Sequence, residues 1–266
     1  MRDSIATPGT RVLASRLCPL LALLIAVTGC SSASESLPHR SALVSSPTPT
    51  PTPTLAPAAK PSGWQLSRGE SLIAVAKRPS LDVRTRPGGP VKWQLSNPND
   101  SGAPLVFLVL AQRGAGWTVR VPARPNGSVG WVRDRDVALE VDPYALRASL
   151  RHHTLVVYKH GRRVRVITIG VGRPSAPTPT GVFYVTELLV AANPNGPYGA
   201  YAYGTSTFSD VYSEFEGGPG QIGVHGTSDP SSIGRNVSHG CIRLGDKDLR
   251  ALAQMVPAGT PLTITA

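Results

Sequence analysis

The stretch "IGVHGTSDPSSIGRNVSHGCIRL", residues 222–244, brings His225, His239 and Cys241 within 17 residues of one another. A thiol attacks well only as thiolate, so it needs an imidazole or a positive potential beside it. Gly223 and Gly226 lie on either side of His225, and Gly240 directly precedes Cys241. Glycine permits close approach of the backbone, so substrate can come near and a peptide N–H can face a developing oxyanion. The turn-rich "DPSSIG" between them can bring the ends back together. Three readings compete: a packed core, three zinc ligands, and a Cys–His acyl-transfer site. A core does not require this glycine pattern. A zinc site lacks an obvious fourth ligand and the usual close ligand pairs, which disfavours metal.

The other two of the three cysteines sharpen the reading. Arg2, Arg11 and Arg16 form a basic leader, followed by the apolar run "LCPLLALLIAV", too short for a membrane span of ~20 residues. "VTGC" then resembles the lipobox of bacterial lipoproteins, which makes Cys30 the expected lipidation site. Cys18 falls in the removed signal. Cys241 is then a lone free thiol in an exported protein, without an intramolecular disulfide partner. From Ser31 to about Pro61 the chain is rich in Ser, Thr, Pro and Ala, and alternating Pro-Thr favours an extended spacer. The net charge is +11, and the three arginines and one aspartate before Cys30 leave +9 on the mature chain. A basic surface suits anionic polymers, and export argues against nucleic acid.

Outward from the histidine–cysteine stretch, the chain reads as mainly β. "HTLVVYK-HG-RRVRVITIG" is expected to be a hairpin around a His-Gly turn, and "PTPTGVFYVTEL" a third strand. "GDKDLRALAQMV" is the one clear helix, with Asp246 as N-cap and an inward face of Leu249, Leu252, Ala253 and Val256. "TPLTITA" closes as a strand. Residues 64–139 show short strands bounded by Gly, Pro and Asn turns, which predicts a small barrel in which Trp117 and Trp131 serve chiefly as core. Arg147, Arg151, Arg162, Arg163 and Arg165 gather around the hairpin, as a solvated face or an anionic-polymer contact. Tyr201, Tyr203 and Phe208 follow the loop "AANPNGPYG", which has the character of a lid.

The 222–244 stretch is similar, nearly residue for residue, to the signature of the L,D-transpeptidase catalytic domain of bacterial cell-wall enzymes. "TPTGVFYV" and "TLVVYKHGRRVRVITIGVG" resemble the same family's upstream strand and opening hairpin, and "LDVRTRPGG…GWTVRV…GWV" resembles a bacterial SH3-like domain. The resemblance implies a lipoprotein signal at 1–29, a tether at 30–62, an SH3-like domain at 63–140 and a β-sandwich-like catalytic domain at 142–266. It also implies a reaction that needs no metal and no cofactor. Cys241 would attack the third-residue carbonyl of a peptidoglycan tetrapeptide stem and release D-alanine. An amine of a neighbouring stem would resolve the thioester as a 3→3 cross-link. Water as acceptor would make an L,D-carboxypeptidase instead, and a non-catalytic wall-binding lipoprotein is the rival from another class. Family analogy favours His225 as base; spacing alone cannot choose between it and His239, which would share a side with Cys241 if that segment is extended. Gly240 and Cys241 are candidate oxyanion donors, Ser238 orients an imidazole or stabilises a turn, and Gly226 contributes to substrate binding. Arg243 suits a substrate carboxylate through its planar fork. The expected setting is outside a bacterial membrane, lipid-anchored through Cys30 and facing the wall.

Overall fold

The computed structural model describes residues 66–266, which form one compact unit. The leader, Cys30 and the tether lie outside the described residues. The first sheet is antiparallel and contains β1 (Ser71–Ala76), β2 (Ser80–Arg84), β3 (Val91–Ser96), β4 (Val106–Gln112), β5 (Gly116–Arg120), β6 (Val129–Arg133) and β7 (Val137–Asp142). Their order is β3-β2-β6-β5-β4-β1-β7. Alternation along these short strands turns Leu72, Leu81, Val83, Phe107, Val119 and Val132 into one core. Trp117 is buried there and Trp131 is buried outside that core, over Gly116, and each indole N–H finds an acceptor: Asp134 at 2.6 Å and the Arg113 carbonyl at 2.9 Å.

The second sheet begins with β8 (Tyr144–Ser149), β9 (Thr154–Lys159), β10 (Arg162–Gly172), β11 (Gly181–Val190) and β12 (Tyr201–Phe208). It continues with β13 (Gln221–His225), β14 (Asn236–Ser238), β15 (Ile242–Leu244) and β16 (Pro261–Thr265). The β9–β10 hairpin turns at His160 and Gly161, whose φ values of 47° and 72° are both positive, as a two-residue turn of the favoured hand requires. β10 and β11 are long enough to serve two layers. The first half of β10 pairs with β9, and its end pairs with β15 and β14. β11 pairs with β16 at its start and with β12 at its end. Strands that change layer at a register shift make the corners of a sandwich.

Leu146, Leu155, Val157 and Ile167 of one layer meet Val185, Tyr203, Val224, Ile242 and Leu244 of the other. The helix α1 (Asp246–Ala253) adds Leu249 and Leu252 to that core, and Val256 follows. Its N-cap is Gly245, not Asp246; the Asp246 carboxylate instead takes Arg250 Nε at 2.7 Å, one turn on. Around the hairpin, Arg165 pairs with Asp248 and Arg147 stacks on Tyr158, so part of that arginine cluster has intramolecular partners.

Candidate active site

Register builds the site. β13 runs parallel to β15, with Val224 opposite Ile242 and His225 opposite Arg243. Because successive side chains alternate, Val224 and Ile242 enter the core, while His225, Arg243 and Cys241 lie on the other face. That face floors a cleft of about 510 Å³ lined by Cys241, His225, His239, Ser238, Arg243 and Tyr198, among others. Five of the expected residues, His225, Ser238, His239, Cys241 and Arg243, are therefore brought together, while Gly226 and Gly240 do not line the cleft.

Cys241 is half-buried. The Gly223 N–H donates to its Sγ at 3.3 Å, and no hydrogen bond joins the thiol to either imidazole among the described residues. Burial pushes the thiol pKa up, while the Gly223 N–H and the Arg243 charge pull it back. His225 is buried, and its Nδ1 donates to the Gly226 carbonyl at 2.6 Å. Since a carbonyl can only accept, that bond leaves Nε2 as the unprotonated nitrogen. Burial lowers the His225 pKa to about 4, against the contrary pull of the Gly226 bond. At neutral pH the pair is thus a neutral thiol with a neutral imidazole, not a preformed thiolate.

The segment before Cys241 is a bonded turn rather than an extended strand. Ser238 Oγ donates to the Cys241 carbonyl at 2.6 Å and accepts the Gly240 N–H at 3.1 Å. The Gly240 N–H, considered above for an oxyanion, is turned to Ser238, and among the described residues Ser238 hydrogen-bonds no imidazole. The φ of 122° at Gly240 is one that side chains rarely adopt, and an added Cβ would lie 2.7 Å from Ile222 Cδ1. His239 consequently leaves the Cys241 register and packs between Phe215 and Tyr212, at centroid distances of 5.2 and 6.0 Å. Desolvation lowers its pKa, with Arg173 and Arg243 adding to the effect. Gly226 donates its N–H to the Tyr198 carbonyl at 2.7 Å, so its backbone joins His225 to the 191–199 loop.

Several groups around the site were not singled out from the sequence. Tyr198 meets the His225 ring edge-on at 4.8 Å and hydrogen-bonds Glu216. Burial and that carboxylate push its pKa up to about 12. Buried Thr178 donates to the Gly240 carbonyl at 2.7 Å and accepts the Gly172 N–H at 2.9 Å, tying the cysteine turn to β10. From the loop between β5 and β6, Arg124 donates to the carbonyls of Ser209, Tyr212 and Pro219, which carry the 209–220 strap across the cleft's edge. Tyr203 and Phe208, by contrast, are buried, and the Tyr203 hydroxyl donates to the Leu252 carbonyl at 2.8 Å.

Comparison with known proteins finds relatives in sequence. The family model of the L,D-transpeptidase catalytic domain matches residues 143–264. A Bacillus licheniformis protein that carries the name L,D-transpeptidase YkuD is 32% identical over 202 residues, which is 76% of this chain and 98% of that one. The Bacillus subtilis protein of the same name is 38% identical over 122 residues, 46% of this chain and 66% of that one. A solved L,D-transpeptidase from Mycobacterium smegmatis is 22% identical with a TM-score of 0.36, covering 60% of this chain and 90% of that one. By its similarity to a relative matched over nearly its whole length, and by the family model over the Cys241 region, the chain belongs to the L,D-transpeptidase catalytic-domain family.

Proposed function

We propose that the chain is a cysteine-dependent acyltransferase that cross-links peptidoglycan stems 3→3. The observation that carries this reading is the β13–β15 register, which sets His225, Cys241 and Arg243 on one cleft face with the Gly223 N–H at the sulfur. Cys241 Sγ attacks the third-residue carbonyl of a tetrapeptide stem. Its proton passes to Nε2 of His225, held ready by the Nδ1 bond to Gly226. Collapse of the tetrahedral intermediate returns that proton to the leaving D-alanine amine and leaves a thioester. An amine of a neighbouring stem then attacks the thioester, restores the thiol and completes the cross-link. Arg243 supplies a fixed positive charge for a stem carboxylate and for the developing oxyanion. His239, held by Tyr212 and Phe215, borders the same cleft and orders the stem.

The N-terminal readings complete the proposal. Residues 1–29 direct export, Cys30 carries lipid, and 30–62 lets the enzyme reach the wall from its membrane. Residues 63–140 act as an SH3-like module, and 142–266 as the catalytic domain. The test is incubation of the protein with a disaccharide tetrapeptide, followed by mass spectrometry. A dimer lacking one D-alanine is the expected product. A tripeptide alone would replace the amine acceptor with water, and unchanged substrate without a Cys241 adduct would end the enzyme reading.

A further inference from the structure

Glu187 of β11 is 4% exposed, and no cation pairs with it among the described residues. Burying a carboxylate without a positive partner is costly, so its retention calls for a reason. Asn99, on the loop of the first sheet between β3 and β4, donates its Nδ2 hydrogen to Oε2. Among the described residues Oε1 receives no hydrogen bond, and it leans over Gly204, where a Cβ would collide with it.

Gly204 lies on a line that leads to the sulfur. Glu187 is opposite Gly204, and Gly204 is opposite Gly223. Gly223 in turn donates its N–H to Cys241 Sγ. Residues opposite each other in a sheet share a face, so the carboxylate and the thiol stand at the two ends of a trough whose floor is two glycines. Three strand steps of ~4.8 Å place the ends roughly 14 Å apart, backbone to backbone. The carboxylate side chain and the thiol occupy the ends of that span. An extended lysine-like side chain, joined to a carbonyl at the sulfur, fills the middle. Both Glu187 and Cys241 line the same cleft.

We propose that Glu187 is the specificity determinant for the acyl donor, its Oε1 taking the side-chain primary ammonium of the residue whose carbonyl Cys241 attacks. The assignment rests on the transpeptidase reading above. It divides the cleft by charge, with Arg243 beside the cysteine for a carboxylate and Glu187 across the glycine floor for an amine. The cleft's other acid, Glu216, is exposed, sits on the strap, and already accepts the Tyr198 hydroxyl. Asn99 is a positioning residue, which fixes the carboxylate through Oε2 and leaves Oε1 to the ligand.

The test uses the full chain and two tetrapeptide donors that differ only at the third residue, lysine in one and norleucine in the other. Cys241 acylation is followed by adduct mass and D-alanine release. The wild type should acylate on the lysine donor roughly tenfold or more faster in kcat/KM, as a charge-assisted bond implies. Glu187→Gln should erase that preference by slowing the lysine donor alone, and Glu187→Asp should keep most of it. Equal rates for the two donors in the wild type, or equal losses on both in Glu187→Gln, would overturn the assignment while leaving the transpeptidase reading in place. The wild-type comparison does not depend on any variant folding. No adduct with either donor would overturn both.

Discussion

His225 carries its proton on Nδ1, fixed by the Gly226 carbonyl, and burial keeps the ring neutral down to about pH 4. The sequence reading began from a thiolate held by a neighbouring imidazole. In the structure desolvation acts against both charged forms, so proton transfer accompanies attack and does not precede it. Acylation should therefore stay level from neutral pH downward and fall only as pH drops through about 4, where the imidazole becomes charged. Single-turnover acylation across that range measures this. The free thiol should react sluggishly with a small alkylating agent at neutral pH and gain rate only above the ordinary thiol range, since its pKa is raised. His225→Ala should slow acylation by roughly 10²–10⁴-fold. The same shift has a cost in stability. The unfolded chain takes up the His225 proton near 6.5 and the folded chain only near 4, so stability falls as pH drops across that interval.

At the scale of elements, the Cys–His pair was legible because its members are close in sequence and carry a fixed glycine pattern. The turn that holds the cysteine was only half legible. Thr178 stands in the "TPTG" segment, but its bond to Gly240 joins residues 62 apart in sequence, which no local pattern signals. Thr178→Val should leave the buried Gly240 carbonyl unpaired and cost about 1–3 kcal/mol, measured by denaturant unfolding. Acylation should drop with it, because the turn carries Cys241. The 191–199 loop was read as a lid on composition alone; its Tyr198 contact with His225 depends on backbone bonds to Gly226 that composition cannot supply. His239 would share a side with Cys241 only if residues 239–241 were extended, and the positive φ of Gly240 turns it out of that register.

At the scale of the whole molecule, both sheets were foreseen as mainly β with one helix, and their alternating apolar positions made that legible. How they meet was not. Tyr184 of β11 donates its hydroxyl to the Val106 carbonyl at 3.0 Å and packs with Ile73, Val106 and Leu108 of the first sheet. Arg124 reaches from the β5–β6 loop to three carbonyls of the strap. The hydrogen bonds among these join residues 78 to 95 positions apart, set by tertiary packing. The shared core predicts cooperative unfolding. Trp93, Trp117 and Trp131 report the first sheet, while Cys241 labelling reports the second, so the two probes should give one coincident transition. Two separated transitions would mean that the sheets unfold independently. Arg124→Ala should free the strap, seen as faster amide exchange over 209–220 and a raised KM.

The most direct measurement of the central claim is intact-mass analysis of the wild type and Cys241→Ala after incubation with a disaccharide tetrapeptide. A tripeptide acyl adduct on Cys241, with release of D-alanine and formation of a dimer lacking one D-alanine, is the predicted result, and Cys241→Ala should show none of these. Turnover of the tetrapeptide by Cys241→Ala at the wild-type rate would contradict a cysteine-centred transpeptidase.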